Sequence, residues 1–587
     1  MPVCSPVPDV DIPSVDVASL FLGRGRELVA RRCAAGTPEP PQLVDADTGD
    51  SLTVSALVQM AESIAAALSA RGFSLDAQAC NADGLGRVVV MYSPVDIRAS
   101  AIHYGTLMAG GAYTAADPAM DTANLARRLA EVGADVVFVA PALLPQLRAA
   151  IAQAAVDIPA ANIVLTRGSD AQHPGIDTLD PVPPGTVLDR LSRAGAGLAE
   201  RVALIVYSAG TTGPPKGVML THRNVVAMWA MVGSYSGSMQ AKVPNRPRRT
   251  TLSALPLWHI YGHCTLCYQP FAAGDCVVQL PGFELSAYLH AIDKHKPDHL
   301  NATPALLCAL VSGTRVAGAG RVTLAALPAQ EFAIDSVRSV VCGGAPLPPA
   351  LRRRYTDYFG GIPILTGYGQ TETTSVIGGS AWVPPAAGAV GVLYPNSRAM
   401  VVDAAGRETA GFGELCVAGP HIMRGYMDHS AGWDAADGFL RTGDCARIDR
   451  DGNIYHRGRM ADVIHTAAGP VYPVEIESAL AEQPAVADAA AVGCGPVGSE
   501  RAIVFVVTAL PPDADVPLHL AGIEEWLAQR LGVVVECRSA SAIPTSPAGK
   551  VLRHLLRAQL GDLGDGGCDS GKVVTSSRPI CGLASDC

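Results

Sequence analysis

Short apolar stretches rich in β-branched residues alternate along the chain with longer segments that repeat apolar side chains every three or four positions. The short stretches predict strands buried on both faces, and the longer segments predict helices. The strands are predicted at Arg87–Met91, Asp135–Val139, Ile163–Thr166, Val202–Tyr207, Val337–Cys342 and Ile362–Thr366, and the helices at Ser55–Arg71, Ile97–Ala109 and Thr122–Val132. This alternation favours an α/β fold with doubly wound parallel sheets.

The pattern of predicted strands and helices changes at two points, which divide the chain into candidate domains. Within residues 1–457, short predicted strands with glycine turns indicate a β-rich subdomain over about 388–457; they lie at Ala399–Asp403, Gly413–Ala418 and Ala446–Asp449. A small α+β domain is predicted over residues 458–560, with a helix at Glu475–Glu482, a strand at Arg501–Thr508 and a helix at Ile523–Gly532. Residues 561–587 lack any period and are predicted to be a disordered tail. The proline-rich segment Gly168–Gly197 is predicted to be a linker.

Composition narrows the functional classes. The chain has 44 Lys and Arg residues and 54 Asp and Glu residues, and the resulting net charge of −10 argues against binding to nucleic acid or acidic membranes. Apolar residues make up 49% of the sequence, and no apolar run is long enough for an ordinary membrane span. We therefore expect a soluble globular protein.

Cysteine usage and the chain ends bear on the compartment. The 15 cysteines are odd in number and scattered, which favours free thiols in a reducing compartment. The first residues lack the basic and apolar stretches of a secretory signal, and Ser585-Asp586-Cys587 differs from the peroxisomal Ser-Lys-Leu address. We expect a cytoplasmic location, with the peroxisome left open.

The most informative motif is the segment Tyr207–Gly217, which follows a predicted strand. It places hydroxyl side chains, glycines and one lysine in a short turn; the residues concerned are Ser208, Thr211, Thr212, Gly213 and Lys216. Backbone N–H groups can approach phosphate oxygens where side chains are absent, hydroxyls donate hydrogen bonds, and the lysine offsets negative charge. The segment is not a Walker loop, because Pro215 stands at its second glycine and Gly217 stands where Ser or Thr would hold magnesium. It therefore predicts a polyphosphate-binding loop.

A second motif, Gly367–Glu372, also lies at the end of a predicted strand. The ring of Tyr368 between two glycines can lie against a nucleotide base. Thr371 can donate to a phosphate, and Glu372 can hold a hard cation such as magnesium. The motif predicts contacts to a nucleotide and its metal ion.

Three further motifs fit the same ligand. Gly343, Gly344 and Ala345 follow a predicted strand and leave room for a planar group. Asp444, in Arg441–Asp444, can accept hydrogen bonds from both hydroxyls of a ribose. Lys550 lies on a turn, Ser546–Lys550, in the predicted small domain.

Taken in order, these motifs, together with Gly458-Arg459, resemble those of the adenylate-forming superfamily of acyl-CoA synthetases, luciferases and peptide-synthetase adenylation domains. Within it, the sequence is most similar to 4-coumarate–CoA ligase-like enzymes, on three further segments: Asp11–Pro13, Leu255–Gly262 and Gly413–Tyr426. The resemblance extends from about residue 11 to residue 556. It implies an N-terminal AMP-binding domain and a mobile C-terminal domain that carries the catalytic lysine.

The resemblance implies a two-step reaction of an aromatic or fatty carboxylic acid. The carboxylate attacks the α-phosphate of ATP to give an acyl-adenylate and pyrophosphate, and the thiol of coenzyme A then displaces AMP. Because an anion attacks an anion in the first step, the site must supply positive charge and hydrogen-bond donors. The acyl pocket is expected at four segments: Trp258–Gly262, Thr303-Pro304, Gly343-Gly344 and Thr373–Gly378.

The resemblance also implies a role for each motif. The leaving phosphates would be held by Ser208, Thr211, Thr212, Gly213 and Lys216. The α-phosphate would contact Thr371, and magnesium would be bound by Glu372. The adenosine would be held by Tyr368, Gly343, Gly344, Ala345, Asp444 and Arg459. Lys550 would neutralise charge at the α-phosphate and move away when the small domain rotates near Gly458.

His259 is implied to shape the acid and thiol pockets. His259, His263, Cys264 and Cys267 also have a spacing that zinc ligands use. No partner that would orient such ligands is evident in the sequence, so zinc is the less favoured interpretation.

One segment departs from the pattern. We call the boundary between the two predicted domains, near Gly458, the junction. Relatives have the pattern Lys-x-x-Gly-x-x-x-x-Pro-x-Glu-x-Glu after it, whereas His465–Pro473 lacks the lysines and its Gly469 falls one place late. Because the resemblance implies that this stretch approaches the thiol, transfer to an acyl carrier protein or another nucleophile stays an alternative. A nucleotide-binding protein without turnover is less favoured, because Lys216, Glu372, Asp444 and Lys550 are all present.

Overall fold

The computed structural model describes residues 2–33, 38–208, 215–240, 248–318, 320–325, 330–380, 385–429, 433–434, 438–510, 514–546 and 549–561. Residues 209–214, in the predicted phosphate loop, and residues 562–587, in the predicted tail, lie outside these ranges. Within them, helices alternate with strands of large sheets, which confirms the predicted α/β class.

The first sheet carries both ends of the predicted phosphate loop. Its strands lie in the order Gly425–Tyr426, Lys216–Thr221, Val202–Ser208, Ala112–Ala116, Val88–Tyr92, Ala134–Val139 and Ile163–Leu165. The last five strands of this order are parallel, and Lys216–Thr221 returns antiparallel to Val202–Ser208. The register places Ser208 opposite Lys216.

Both faces of the first sheet are buried, as expected for a doubly wound sheet. Val89 and Met91 face one hydrophobic cluster, whereas Val88 and Val90 face another. The first cluster includes helices Val54–Ser69 and Ala99–Met108, and the second includes Thr122–Val132 and Leu144–Ala154. In the described part of the chain, no helix is long and apolar enough to span a membrane.

The ends of helix Thr122–Val132 show how local sequence sets these elements. The side chain of Asp121 accepts a hydrogen bond of 2.7 Å from the backbone N–H of Asn124 and so caps the first turn. Gly133 ends the helix with a φ of 59°, a conformation that glycine adopts without steric cost. The predicted and observed bounds of this helix agree.

The second sheet joins a parallel part to an antiparallel part. The parallel strands lie in the order Ile364–Tyr368, Ser339–Cys342, His299–Ala302, Thr250–Ser253, Cys276–Gln279 and Leu43–Asp45, with Ser51–Leu52 antiparallel at the edge. The antiparallel strands continue from Ile364–Tyr368 in the order Gly378–Gly379, Gly391–Leu393, Asn453–Arg459, Phe439–Ile448, Gly413–Ala418, Arg398–Val402 and Val3–Cys4, with Trp433–Asp434 beside Phe439–Ile448. The strands of the predicted β-rich subdomain therefore extend the second sheet.

The remaining elements before the junction pack around these sheets. The helices are Val17–Arg32, Thr186–Ala194, His222–Gln240, Ile260–His263, Gln269–Ala273, Leu285–His295, Pro304–Ser312 and Pro349–Tyr358, with a π-helical turn at Cys264–Tyr268. A small antiparallel sheet is formed by Thr314–Gly318, Arg321–Leu324 and Glu331–Ala333. Two of these helices, Ile260–His263 and Pro304–Ser312, begin beside residues predicted for the acyl pocket.

Residues after the junction form their own sheet and cores. The strands Val486–Cys494, Arg501–Thr508 and Val535–Ser539 pack with helices Pro473–Leu480, Val516–Leu531 and Arg553–Gly561. The segment that departs from the family pattern forms a hairpin of Ile464–Thr466 and Gly469–Val471. Gly469 has a φ of 127°, and its carbonyl accepts a hydrogen bond of 2.8 Å from Thr466. The displaced glycine therefore serves this turn.

The prediction of a linker at Gly168–Gly197 was wrong in one part, because helix Thr186–Ala194 lies within it. Glu62, which is fully buried, accepts hydrogen bonds from the backbone N–H groups of Gly185, Val187 and Leu188. A carboxylate at a helix N-terminus satisfies these donors and stabilises the first turn. The stabilising residue is about 120 positions away, so local composition did not reveal the helix.

Candidate functional site

Two of the predicted nucleotide motifs lie at the carboxyl ends of adjacent parallel strands. Gly343–Ala345 follows strand Ser339–Cys342, and Tyr368 ends strand Ile364–Tyr368. The register pairs Cys342 with Thr366, so the two motifs leave the same edge of the sheet. Ligands of α/β sheets bind at this edge.

Asp444 is the centre of a buried polar network. Its carboxylate accepts a hydrogen bond of 2.7 Å from the hydroxyl of Tyr368, forms an ion pair with Nε of Arg459 at 3.1 Å, and lies 3.5 Å from Nε2 of His456. Asp444 and Arg459 face each other in the register of their strands. Burial alone would raise the pKa of Asp444, but Arg459, His456 and Tyr368 lower it to about 2. The carboxylate is therefore ionised at neutral pH.

Glu372 connects the second sheet to the lysine of the phosphate loop. Thr371 and Glu372 are buried in a single 3₁₀ turn, Thr371–Thr373. The carboxylate of Glu372 accepts a hydrogen bond of 3.0 Å from the hydroxyl of Tyr426. The ammonium of Lys216 lies 5.0 Å from the centre of the Tyr426 ring, within range of a cation–π interaction. One tyrosine thus contacts both the predicted metal ligand and the predicted phosphate ligand.

The loop after Tyr368 turns back sharply on itself. A β-carbon at Gly369 would lie 2.3 Å from the carbonyl oxygen of Ser375, which leaves no room for any side chain. Thr374 and Ser375 have φ values of 50° and 92°, which residues other than glycine rarely adopt. This tight loop positions the 3₁₀ turn that carries Thr371 and Glu372.

Lys550 is brought from the C-terminal region to this network. Its turn is closed by hydrogen bonds of 2.8 Å from Ser546 N–H to the Lys550 carbonyl and 2.7 Å from Gly549 N–H to the Ser546 carbonyl. Gly549, with a φ of 79°, packs against Ala305 on the other side of the junction. Burial lowers the pKa of the Lys550 ammonium, and Arg459 acts in the same direction.

Two carboxylates oppose that shift. Asp444 and Glu372 both raise the pKa of Lys550 and are therefore within electrostatic reach of its ammonium. Sequence positions 372, 444 and 550 thus converge on one site. This convergence is what the resemblance implied for a lysine that acts at the α-phosphate.

His259 lies at the start of helix Ile260–His263. Its Nδ1 accepts a hydrogen bond of 3.2 Å from the backbone N–H of Tyr261. Burial, together with the nearby charge of Lys550, lowers the pKa of His259 to about 4. The imidazole is therefore neutral at neutral pH and lies on the Lys550 side of the site.

Two cavities meet at this site. One, of about 1040 Å³, is lined by His259, Ile260, Tyr261, Val341, Gly343, Ser375 and Val376, among other residues. The other, of about 1000 Å³, is lined by Ala345, Tyr368, Asp444, His456 and Arg459, among others. Both are lined by Gly344, Gly367, Gly369 and Lys550. Predicted acyl-pocket residues such as His259 and Val376 thus line the first cavity, and the predicted adenosine residues Tyr368, Asp444 and Arg459 line the second. Gly343, which was also predicted to hold the adenosine, lines only the first cavity.

The predicted site is brought together only in part. Thr211, Thr212 and Gly213 lie outside the described residues, so their predicted contacts stay predictions. Of the predicted acyl-pocket residues, Pro304 lines the cavity of Asp444 instead of that of His259. Sequence reasoning gave no role to His456 or Tyr426. Tyr426 lies in a segment that carried the resemblance, whereas no motif marked His456.

Comparison with known proteins agrees with this geometry. A family model described as AMP-binding enzyme matches residues 30–427. The peroxisomal OPC-8:0-CoA ligase 1 of Arabidopsis thaliana is 27% identical over 565 residues, which cover 94% of this chain and 94% of the relative. The 4-coumarate–CoA ligase-like 3 of Oryza sativa subsp. japonica is 30% identical over 553 residues, which cover 90% of this chain and 87% of the relative.

Solved structures share the fold at lower identity. The anthranilate CoA ligase AuaEII in complex with anthranoyl-AMP superposes with a TM-score of 0.74 at 19% identity and covers 94% of this chain and 99% of its own. The amide bond synthetase McbA from Marinactinospora thermotolerans gives a TM-score of 0.72 at 24% identity, with 92% and 99% covered. The chain therefore belongs to the AMP-binding enzyme family, the adenylate-forming superfamily that its motifs resemble. The relatives from Arabidopsis thaliana and Oryza sativa are named as a CoA ligase and a CoA ligase-like protein, respectively.

Proposed function

We propose that this protein is an ATP-dependent acid–thiol ligase, which activates a carboxylic acid as its acyl-adenylate and transfers the acyl group to coenzyme A. The observation that carries the proposal is the position of Lys550 at the boundary of the two cavities, within electrostatic reach of Glu372 and Asp444. A cation at that boundary is where the carboxylate of an acid in one cavity would meet the α-phosphate of a nucleotide in the other.

In the first step, a carboxylate oxygen attacks the α-phosphorus of ATP and pyrophosphate leaves. Lys550 would offset the charge that develops between the two anions, and Thr371 would donate to an α-phosphate oxygen. Asp444 would accept from the ribose hydroxyls, oriented by Arg459 and Tyr368. Ser208 and Lys216, which face each other across two strands, would hold the leaving pyrophosphate together with the loop between them.

Magnesium fits the donor at Glu372. This carboxylate is buried, and the hydrogen bond from Tyr426 engages one of its two oxygens, Oε1. A hard cation prefers such an oxygen ligand. When bound there, magnesium would offset the negative charge of the phosphates, and Glu372 with Tyr426 would hold it in place.

In the second step, the thiol sulfur of coenzyme A attacks the acyl carbon, loses its proton and displaces AMP. The apolar lining of the first cavity, which includes Ile260, Val341 and Val376, fits an aromatic or fatty acyl group. We propose that a rotation near Gly458, which has a φ of 100°, withdraws Lys550 between the two steps.

A second acceptor is favoured by one observation. The hairpin Ile464–Thr466 and Gly469–Val471 carries no lysine, although relatives place lysines in this stretch. An acyl-adenylating enzyme that transfers to a carrier protein or to an amine is therefore the alternative, with the same first step.

Acid-dependent pyrophosphate release tests the proposed ligase against the alternative with another acceptor. We would measure it across cinnamic, benzoic, phenylacetic and fatty acids, with and without coenzyme A. Release that depends on one class of acid and turns over with coenzyme A supports the ligase. A single turnover that coenzyme A does not accelerate favours the other acceptor, and the absence of release with every acid argues against acyl activation of these classes.

We further propose the cytosol as the compartment. Twelve cysteines in the described ranges are free thiols, which fits a reducing environment. One relative is named as peroxisomal, so imaging of the tagged full chain beside a peroxisomal marker is the test. A diffuse signal supports the proposal, and overlap with the marker contradicts it.

A further inference from the structure

Arg553 lies three residues after Lys550 and has an unusually complete set of partners. Its Nη1 donates to Oε1 of Glu477 at 2.6 Å and its Nη2 to Oε2 of Glu477 at 3.1 Å. Nη1 also donates to the carbonyl of Ala491 at 3.0 Å, and Nε lies 3.5 Å from Asp462. The side chain is only 13% exposed, so these contacts are largely shielded from water. A two-pronged ion pair of this kind fixes both position and orientation.

These partners come from three different elements. Glu477 lies on helix Pro473–Leu480, Ala491 on strand Val486–Cys494, and Asp462 on the single turn that directly follows Arg459. Asp462 also lies 3.5 Å from Arg557, one turn further along the last helix. Burial alone would lower the pKa of Arg553, but Glu477 and Asp462 raise it, so the guanidinium stays charged. Arg553 thus connects the first turn of the last helix to helix Pro473–Leu480, to strand Val486–Cys494 and to the turn after Arg459.

The Lys550 turn leads directly into that helix. Beyond the hydrogen bonds that close the turn, its two arms are joined by a bridge between Thr545 and Val551, by the bond from Leu552 N–H to the Pro544 carbonyl, and by a bond of 3.2 Å from Lys550 N–H to the Ser546 hydroxyl. Among the described residues, none forms an ion pair with the ammonium of Lys550 that would hold it in the absence of substrate. Its location therefore depends on where its backbone is anchored, and Arg553 is the first residue after the turn whose side chain forms hydrogen bonds and ion pairs with other elements of the domain.

We propose that Arg553 is a positioning residue for Lys550. Its ion pair with Glu477 and its contact with Asp462 hold the lysine turn in the position from which Lys550 reaches the boundary of the two cavities. The inference rests on the role proposed above for Lys550. All the partners of Arg553 lie after the junction, so the network moves with Lys550 if the C-terminal domain rotates.

The test uses Arg553→Met, which removes the ion pairs, and Arg553→Lys, which keeps the positive charge but cannot form the two-nitrogen contact with Glu477. Arg538→Met is the matched control, because Arg538 contacts Glu536 through two nitrogens at 2.8 and 2.7 Å in the same domain. With the most active acid of the panel, ATP–pyrophosphate exchange reports adenylation, and synthetic acyl-adenylate with coenzyme A reports the second step. We expect Arg553→Met to slow ATP–pyrophosphate exchange by about ten- to hundredfold, because a small displacement of Lys550 from the reacting atoms is enough for a loss of this size. The second step should change by less than about threefold.

A double variant separates positioning from a general structural role. If Arg553 acts through Lys550, adding Arg553→Met to Lys550→Ala lowers exchange no further. If the two losses multiply, or if Arg553→Met lowers both steps equally, the inference is wrong. Should Arg553→Met fail to show a cooperative unfolding transition, Arg553→Lys carries the same comparison.

One readout does not depend on turnover. Acetylation of Lys550 by acetic anhydride, followed by peptide mass spectrometry, reports how well the lysine is held in the site, with the exposed Lys294 as reference. We expect Arg553→Met to raise labelling of Lys550 by at least about threefold and to leave Lys294 unchanged. Unchanged labelling of Lys550 overturns the inference, even if no acid is activated and the proposed function itself fails.

Discussion

Tyr368 and Asp444, 76 positions apart in the sequence, are joined by a hydrogen bond of 2.7 Å from the phenol to the carboxylate. Tyr368 was predicted to contact the adenine and Asp444 the ribose of one nucleotide. Base and sugar are adjacent in adenosine, so residues that hold them must also be adjacent. The hydrogen bond therefore supports a common ligand for the two motifs and also fixes the orientation of the carboxylate.

Loss of the Asp444 carboxylate should weaken ATP binding. Charge-assisted hydrogen bonds contribute about 1.5–3 kcal/mol each, so Asp444→Ala is expected to raise the Kd for ATP at least about tenfold in titration calorimetry. Asp449→Ala is the control, because Asp449 accepts a tyrosine hydrogen bond of 3.1 Å from Tyr455 and does not line either cavity. Equal Kd values for the wild type and Asp444→Ala would remove Asp444 from the nucleotide site.

Loss of Lys550 should separate the two half-reactions. Lys550→Ala removes the cation at the boundary of the cavities, so adenylation is expected to fall by more than about a hundredfold. Thioester formation from added acyl-adenylate should stay within about threefold of the wild type, because the bond to the α-phosphate already exists. Lys296→Ala, at an exposed lysine paired with Asp293, is the control. A parallel fall of both half-reactions would show that the role of Lys550 is misassigned.

The loop after Tyr368 should tolerate no side chain at Gly369. A β-carbon there would meet backbone atoms of Ser375 and Val376 at 2.3 and 2.5 Å, and backbone cannot move aside as a flexible side chain can. Gly369→Ala is expected to displace Thr371 and Glu372 and to reduce adenylation by at least about tenfold. Gly522→Ala, in a helix with open space around the new β-carbon, should leave activity unchanged. Wild-type activity in Gly369→Ala would mean that the loop is not fixed as described.

Stability should fall as the pH is lowered, because buried histidines are held neutral. His421 is fully buried, and burial lowers its pKa to about 4. The unfolded chain takes up this proton as the pH falls through about 6.5, whereas the folded chain does not, so the free energy of unfolding decreases between about pH 6.5 and 4. From pH 7 to 5, His421→Leu is expected to lose roughly 1–2 kcal/mol less than the wild type.

Urea denaturation at the two pH values measures this difference. His554→Leu is the control, since His554 is exposed on the last helix. If His421→Leu and the wild type lose the same free energy of unfolding between pH 7 and 5, His421 does not contribute to the acid sensitivity.

Sequence patterns predicted the elements better than the contacts between them. The strand Arg501–Thr508 and the helix Thr122–Val132 were predicted within their observed bounds, because hydrophobic period and capping residues are local signals. The polar residues Tyr368, Asp444 and Lys550 could be proposed as site residues from the sequence because each lies in a short motif. His456 and Arg553 were missed, because their roles depend on strand register and on packing between elements that are far apart in sequence.

The most direct test of the proposed chemistry follows the oxygen atoms of the acid. An acid labelled with ¹⁸O in its carboxylate is incubated with ATP, magnesium, coenzyme A and the full-length protein, and the products are analysed by mass spectrometry. If the carboxylate attacks the α-phosphorus, one labelled oxygen is transferred to AMP, and thioester and AMP form in equal amounts. Label in inorganic phosphate, or unlabelled AMP formed together with thioester, would contradict the acyl-adenylate route.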